Sequence, residues 1–355
     1  MAFMHRPNPP ARASRWMVAA SLAAACLLSP LMIAPDVAAP GPDAAGRVAT
    51  GGVSLRRLAR WLPSPASAAT LEVGADKTYK LPSAAAAAAH DGDVVTIAPG
   101  SYFDCAVWRA NNLTIKGASA DSTVITDKTC DGKALFITTG DNITIRALTL
   151  TRARVADFNG AGLRAEGGDL TIEDVHFVNN QEGVLASSTP GKKIVIRDSA
   201  FIRNGTCEGS GCAHGIYVNE LALLRIEHSK FFETRQAHDI KSQAQRTEVI
   251  GCDIADGADG TASYAVDVPN GGAVLLRDNH IQKGPKSENH GAALMIGENG
   301  VTRPTPEIVV EHNTFLVEGS YNSYLVNNIT ATEAQLRGNT LQGNAKALHG
   351  DGVVK

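Results

Sequence analysis

An eight-residue phrase returns along this chain at irregular intervals. It reads ITIRALTL (143–150), LTIEDVHF (170–177), IVIRDSAF (194–201), LRIEHSKF (224–231), VLLRDNHI (274–281), IVVEHNTF (308–315) and AQLRGNTL (334–341), with a degenerate copy, EVIGCDI, ending at Ile254. The closing residues are 23 to 34 positions apart. Each copy alternates apolar and polar residues over its first half, as a strand with one buried face does. A second short strand lies between copies: GLRAE, GVLAS, GIYVN, DIKSQ, AVDVP, YLVNN. That period is too short for a propeller blade. It suits a parallel solenoid whose turns stack at about 4.8 Å while loops of any length leave the coil. The sixth position of the phrase holds Ser199, Ser229, Cys252, Asn279, Asn313 and Asn339. Small or amide side chains at one stacked position predict an internal ladder, so these asparagines read as scaffold.

Composition agrees. Of 355 residues 34 are glycine and 5% aromatic, as in a fold of short strands and many turns. A net charge of −3 lacks the basic footprint of a nucleic-acid binder, so no nucleic-acid partner is expected. Arg6, Arg12 and Arg15 precede an apolar stretch, Met17 to Ile33, in the pattern of a secretory signal. The expected organisation is a signal peptide over 1–39, an Ala/Pro/Gly-rich linker over 40–69 and the solenoid over 70–355. The mature chain would be periplasmic or secreted, with no membrane partner after cleavage. Export permits disulfides. Cys207 and Cys212 close the small loop CEGSGC, and Cys105 and Cys130 lie one repeat apart. These are the two expected pairs, leaving Cys252 as a buried thiol. The short loop ends at Cys212, with only Ala213 between it and His214, and would fix that residue's place.

Tyr79-Lys80-Leu81, followed by SAAAAAAHDGDVVTIAPGSY (83–102), resembles the opening of secreted right-handed parallel β-helix proteins. Its core, GDVVTIAPGSY, is similar to the GD-x-I-x-L-x-P-G-x-Y opening of that group, which includes the polysaccharide lyases of the chondroitinase-B and alginate-lyase type. The resemblance implies an all-β fold, a right-handed single-stranded parallel β-helix with a short N-terminal capping helix. Ser83 is the expected cap of that alanine helix.

Aligning the second strands by the phrase that follows each gives a column. His214-Gly-Ile-Tyr217-Val-Asn219 stacks on His238-Asp-Ile-Lys241-Ser-Gln243, then on Tyr264-Ala-Val-Asp267, with His290 beyond. Ile216 and Ile240 point inward, so Tyr217, Lys241 and Asp267 point outward in one row, within about 10 Å. Arg164 precedes them in the same row, and Glu298 and Arg303 sit on a long loop, 297–306, beside it. The family chemistry is β-elimination on an acidic, uronate-containing polysaccharide. It needs a cation for the sugar carboxylate, a base for the C5 proton and an acid for the leaving oxygen. Lys241 is the candidate base or cation, His238 or His214 the alternative base, and Tyr217 the acid. Asn219, Gln243, Arg164, His290 and Asp267 are candidate substrate contacts. Asp267 either orients Lys241 or, with Asp239, holds calcium; no other cofactor is required. The competing reading is a non-catalytic β-helix that binds polysaccharide or scaffolds the envelope.

Overall fold

A computed structural model describes residues 68–208 and 211–355. The expected signal peptide, and the linker as far as residue 67, lie outside the described residues. From Thr70–Val73 to Gly352–Val354 the chain winds as a parallel β-solenoid of about eleven turns. Ten strands, from Ala106–Trp108 to Ala345–Gly350, stack into one sheet with one strand per coil. Twenty others, two per coil over most of the length, form the remaining walls. The coil runs on past Leu341, where the last copy of the phrase ends. Among the described residues no helix is long and apolar enough to cross a membrane.

The phrase is one strand, a corner and a second strand, as in Lys193–Arg197 followed by Ala200–Ile202. The corner is its fifth residue. Ala147, Asp174, Asp198, His228, Gly251, Asp278, His312 and Gly338 all take left-handed backbone, with φ between 47° and 63°. Asp, His and Gly dominate there because they tolerate this region best. His228 and His312 are thereby accounted for as corner residues.

The sixth residue forms the ladder. Asn279 donates its amide to Asn313 Oδ1 at 2.9 Å, and Asn313 donates to Asn339 Oδ1 at 2.9 Å. The same amides also donate to Val249 and Leu276 carbonyls, and Asn279 Oδ1 accepts the Cys252 N–H. Upstream, serine hydroxyls continue the pattern: Ser199 Oγ accepts from Val175 N and Ser229 Oγ from Ser199 N. Two residues on, Phe177, Phe201 and Phe231 stack with centroids 4.7 Å apart, the spacing of the coils themselves.

The capping helix spans Pro82–Ala88, but its N-cap is Leu81 and not Ser83. Pro82 opens the helix because its fixed φ and missing N–H suit the first position. Ser83 lies inside, and its backbone N–H donates to the buried carboxylate of Asp104 at 2.8 Å. The cap is therefore supplied from a neighbouring coil. Both expected disulfides form, Cys105–Cys130 and Cys207–Cys212, and Cys252 is a buried free thiol.

Candidate functional site

The ten-stranded sheet turns sequence register into columns. Tyr217 pairs with Lys241, and Lys241 with Asp267, on three successive coils. Three residues earlier on each strand, a second column carries His214, His238 and Tyr264. Its rings stack, His214 on His238 at 4.9 Å and His238 on Tyr264 at 5.1 Å. The pairing of Val184 with Ile216 adds Glu182 to the head of this column, one coil upstream. Glu182 did not figure among the expected site residues. Carrying the same alignment back to EGVLAS finds it.

The register also decides the tautomers of both histidines. The His238 backbone N–H donates to His214 Nδ1 at 3.2 Å, and the Tyr264 N–H donates to His238 Nδ1 at 3.2 Å. A backbone N–H only donates, so both Nδ1 atoms accept and the ring proton sits on Nε2. Burial, and then the proximity of His238 and Lys241, holds His214 well below the usual imidazole range. Burial, with Lys241 and Lys283, pushes His238 down to about 3. Each histidine is thus a neutral hydrogen-bond donor whose remaining lone pair is already used. Neither is set up as a base.

Tyr217 and Lys241 are differently equipped. Gln243 donates to the Tyr217 hydroxyl at 2.8 Å, so the phenol oxygen accepts and its own proton is free to be given. Burial, then the nearby Glu182 and Asp267 carboxyls, raise the Tyr217 phenol and keep it protonated. Lys241 Nζ lies 5.6 Å from the Tyr217 ring centroid and 3.5 Å from Asp267 Oδ2. Asp267 points outward as the alternation requires, yet its side chain is 0% exposed. Among the described residues neither of its oxygens has a hydrogen-bond partner. Burial, then Glu298, push its carboxyl up to about 7 against the pull of Lys241. Glu182 is also buried, with Oε1 unpartnered among the described residues, and burial raises it well above the usual carboxylate range.

The other expected contacts lie as follows. Arg164 lines the same groove as Tyr217 and Glu182, 3.5 Å from Glu166. Asn219 donates to the Ala186 carbonyl at 2.8 Å, tying one coil to the last. His290 stands apart from the column, which continues instead through Ala292; its ring stacks on Tyr321 at 3.6 Å. Arg303 pairs with Glu220 at 3.2 Å. Asp239 is buried in another cluster, with Asp256 and Lys283, where burial raises both carboxyls and lowers the amine.

A cation finds a poor donor set. His238, Asp267 and Glu298 each offer an atom within 4.8 Å of the others. The His238 Nε2 that faces Asp267 carries the proton, however, and Lys241 brings a positive charge to the same carboxylate. A metal needs the imidazole lone pair, which the Tyr264 N–H occupies. As a set that includes the imidazole nitrogen these donors do not fit an ion; an oxygen-seeking ion such as calcium would have Asp267 and Glu298, not Asp239, which lies in the Asp256 cluster.

Above the columns lies a groove. One part, about 440 Å³, covers His214, His238 and Lys241; the adjoining part, about 290 Å³, covers Tyr217, Glu182 and Arg164. Cys212 of the disulfide loop walls both.

No family model matches the chain, and no curated protein matches it. Solved structures do resemble it. An alginate lyase from Paenibacillus sp. str. FPU-7 superposes with a TM-score of 0.55 at 18% identity, covering 80% of this chain and 99% of the other. A pectin methylesterase from carrot gives 0.48 at 13% identity over 81% of this chain and 90% of the other. Pectate lyase Pel9A gives 0.47 at 16% identity, over 79% and 78%. At this identity the first likeness is one of fold.

Proposed function

We propose that this chain cleaves an acidic, uronate-containing polysaccharide by β-elimination in the groove over Tyr217 and Lys241. One observation carries the reading: a lysine and a proton-bearing tyrosine occupy one outward row on adjacent coils, flanked by neutral donors. Lys241 Nζ passes its extra proton to the Asp267 carboxylate, 3.5 Å away, and then takes the C5 proton of the uronate. The C5–H electrons form the C4–C5 double bond, the C4–O bond breaks, and the leaving oxygen takes the phenolic proton of Tyr217. Gln243 holds the Tyr217 oxygen in place and stabilises charge left on it. The Nε2–H of His214, with a protonated Glu182, donates to the sugar carboxylate, whose charge must be reduced before C5 becomes acidic, while the Nε2–H of His238 faces Asp267. The alginate lyase with the same fold is what brings this substrate class to the chain. The reading places the protein in an oxidising compartment, periplasmic or secreted, which the two disulfides support.

The test is a panel of alginate, pectate and glucuronate-containing polymers, followed by the ultraviolet absorbance of unsaturated product ends. Absorbance should rise with at least one of them. New reducing ends without unsaturation would replace elimination by hydrolysis. Binding without any new ends would leave a non-catalytic polysaccharide-binding solenoid.

A further inference from the structure

A second cleft, about 570 Å³, lies beside the groove. Gly205, Thr206 and Glu208 wall this cleft, while Cys207, Gly211 and Cys212 wall the groove over Lys241. The Cys207–Cys212 disulfide therefore stands between the two. Phe158 lines both the cleft and the Tyr217 side of the groove, and Glu288 lines both the cleft and the Lys241 side.

Two arginines define its chemistry. Arg154 donates to the Ala153 and Asn179 carbonyls at 2.8 and 2.7 Å and to Asn179 Oδ1 at 2.9 Å. Arg235 donates to the same Asn179 Oδ1 at 3.1 Å. One neutral oxygen thus holds two guanidiniums together. Among the described residues neither has a carboxylate within ion-pair distance, whereas neighbouring Arg152 and Arg203 meet Asp127 and Glu233 at 2.6 Å. Glu208 and Glu288 stay on the rim, exposed. Both side chains reach solvent; partial burial and then the charge of Arg235 lower the hold of Arg154 on its proton.

The remaining polar groups are donors too. Gln181 Oε1 accepts from Val155 N and Gly160 N, at 2.8 and 3.0 Å, and Gln236 Oε1 accepts from Cys207 N at 2.9 Å. Both side-chain NH₂ groups are left for the cleft. The half-buried ring of Phe158 adds an apolar surface. Arg154, Gln181, Thr206, Gln236 and Thr261 belong to five successive coils, a span of about 19 Å at 4.8 Å each. An elongated cleft with paired guanidiniums, amide donors and one aromatic ring fits a string of carboxylate-bearing sugars.

We propose that this cleft is a second subsite for an acidic oligosaccharide, in which Arg154 and Arg235 bind uronate carboxylates on sugars remote from the bond that breaks. The inference rests on the substrate class proposed above and not on the elimination chemistry. Calorimetric titration of alginate and pectate oligosaccharides into the full chain carrying Lys241→Ala, which blocks turnover, gives the reference affinity. Adding Arg154→Gln and Arg235→Gln should weaken binding by about tenfold per arginine and flatten its salt dependence. Arg154→Lys with Arg235→Lys, which keeps the charge but loses the fork, should fall between the two and guards against a folding defect. Unchanged affinity in the glutamine variant would overturn the subsite, as would failure of every acidic oligosaccharide to bind the reference protein. If wild type forms no unsaturated ends while arginine-dependent binding persists, the lyase reading falls and the subsite stands. If turnover occurs and the arginines make no difference to binding or to the KM for long chains, the reverse holds.

Discussion

Asp267 and Asn279 belong to the same coil, and the chain treats their polar atoms in opposite ways. Asn279, facing in, bonds to the coils on both sides through nitrogen and oxygen alike. Asp267, facing out under cover, keeps both oxygens unpartnered among the described residues and has a lysine at 3.5 Å. The polarity of the ladder is neutral, periodic and satisfied. Site polarity is charged, confined to a few coils and incompletely satisfied. Buried charge without full compensation costs stability, and proteins keep it where it does chemistry. A similar contrast runs between neighbouring arginines: Arg152, Arg197 and Arg203 meet carboxylates, and among the described residues Arg154 and Arg235 do not.

Substitutions can sharpen or break this division. Tyr217→Phe keeps the ring and removes the transferable proton. Turnover should drop about a hundred- to ten-thousand-fold, with little change in a thermal melt. Asn313→Leu tests the other side. It strands the Asn279 amide, the Leu276 carbonyl and the Asn339 oxygen, and should cost about 3 kcal/mol or more in denaturant unfolding while leaving the kcat of folded protein near wild type. If the ladder variant lost turnover without losing stability, the assignment of scaffold and site would be reversed. Gln243→Leu removes one bond to the Tyr217 oxygen and should lower kcat about tenfold, the worth of roughly one hydrogen bond.

The smallest effect concerns pH. The folded Asp267 carboxyl titrates near 7, above its unfolded value of about 3.9. The folded state therefore holds the proton longer, and the contribution of this group is present at acid pH and lost as pH rises through that window. Asp267→Asn cannot ionise. It should melt with wild type at pH 4 and a few degrees above it past pH 7. Parallel melting curves across the range would show that Asp267 is compensated after all.

Much of this was legible in the residues. The phrase alone implied stacked coils, and its sixth position identified the ladder. The fifth position is equally plain once Asp, His and Gly are read as left-handed corner residues. The row Tyr217, Lys241, Asp267 followed from alternation, because strand register on a solenoid is set by the repeat. Other features depend on contacts that no local pattern carries. The tautomers of His214 and His238 are fixed by backbone N–H groups of the next coil. Asp267 is buried with His238 and Glu298 within 4.8 Å, so an outward position did not mean an exposed one. His290 misses the column because the loop before Ala292 sets its own length. Ser83 has the composition of a cap, but Pro82 begins the helix one residue earlier and Asp104 supplies the oxygen.

The central claim is that Lys241 removes the proton from a site distinct from the scaffold. Its most direct test is the rate of unsaturated-end formation by Lys241→Ala and Lys241→Arg beside wild type, with melting temperatures recorded on the same samples. Lys241 is only 17% exposed, so alanine removes a packed alkyl stem and should lower the melting temperature by a few degrees, whereas Lys241→Arg keeps the stem and the charge and should melt nearer wild type. Both should form no unsaturated ends, because alanine has no base and guanidinium does not give up its proton. Elimination at the wild-type rate by either variant would contradict the assignment of Lys241 as the base.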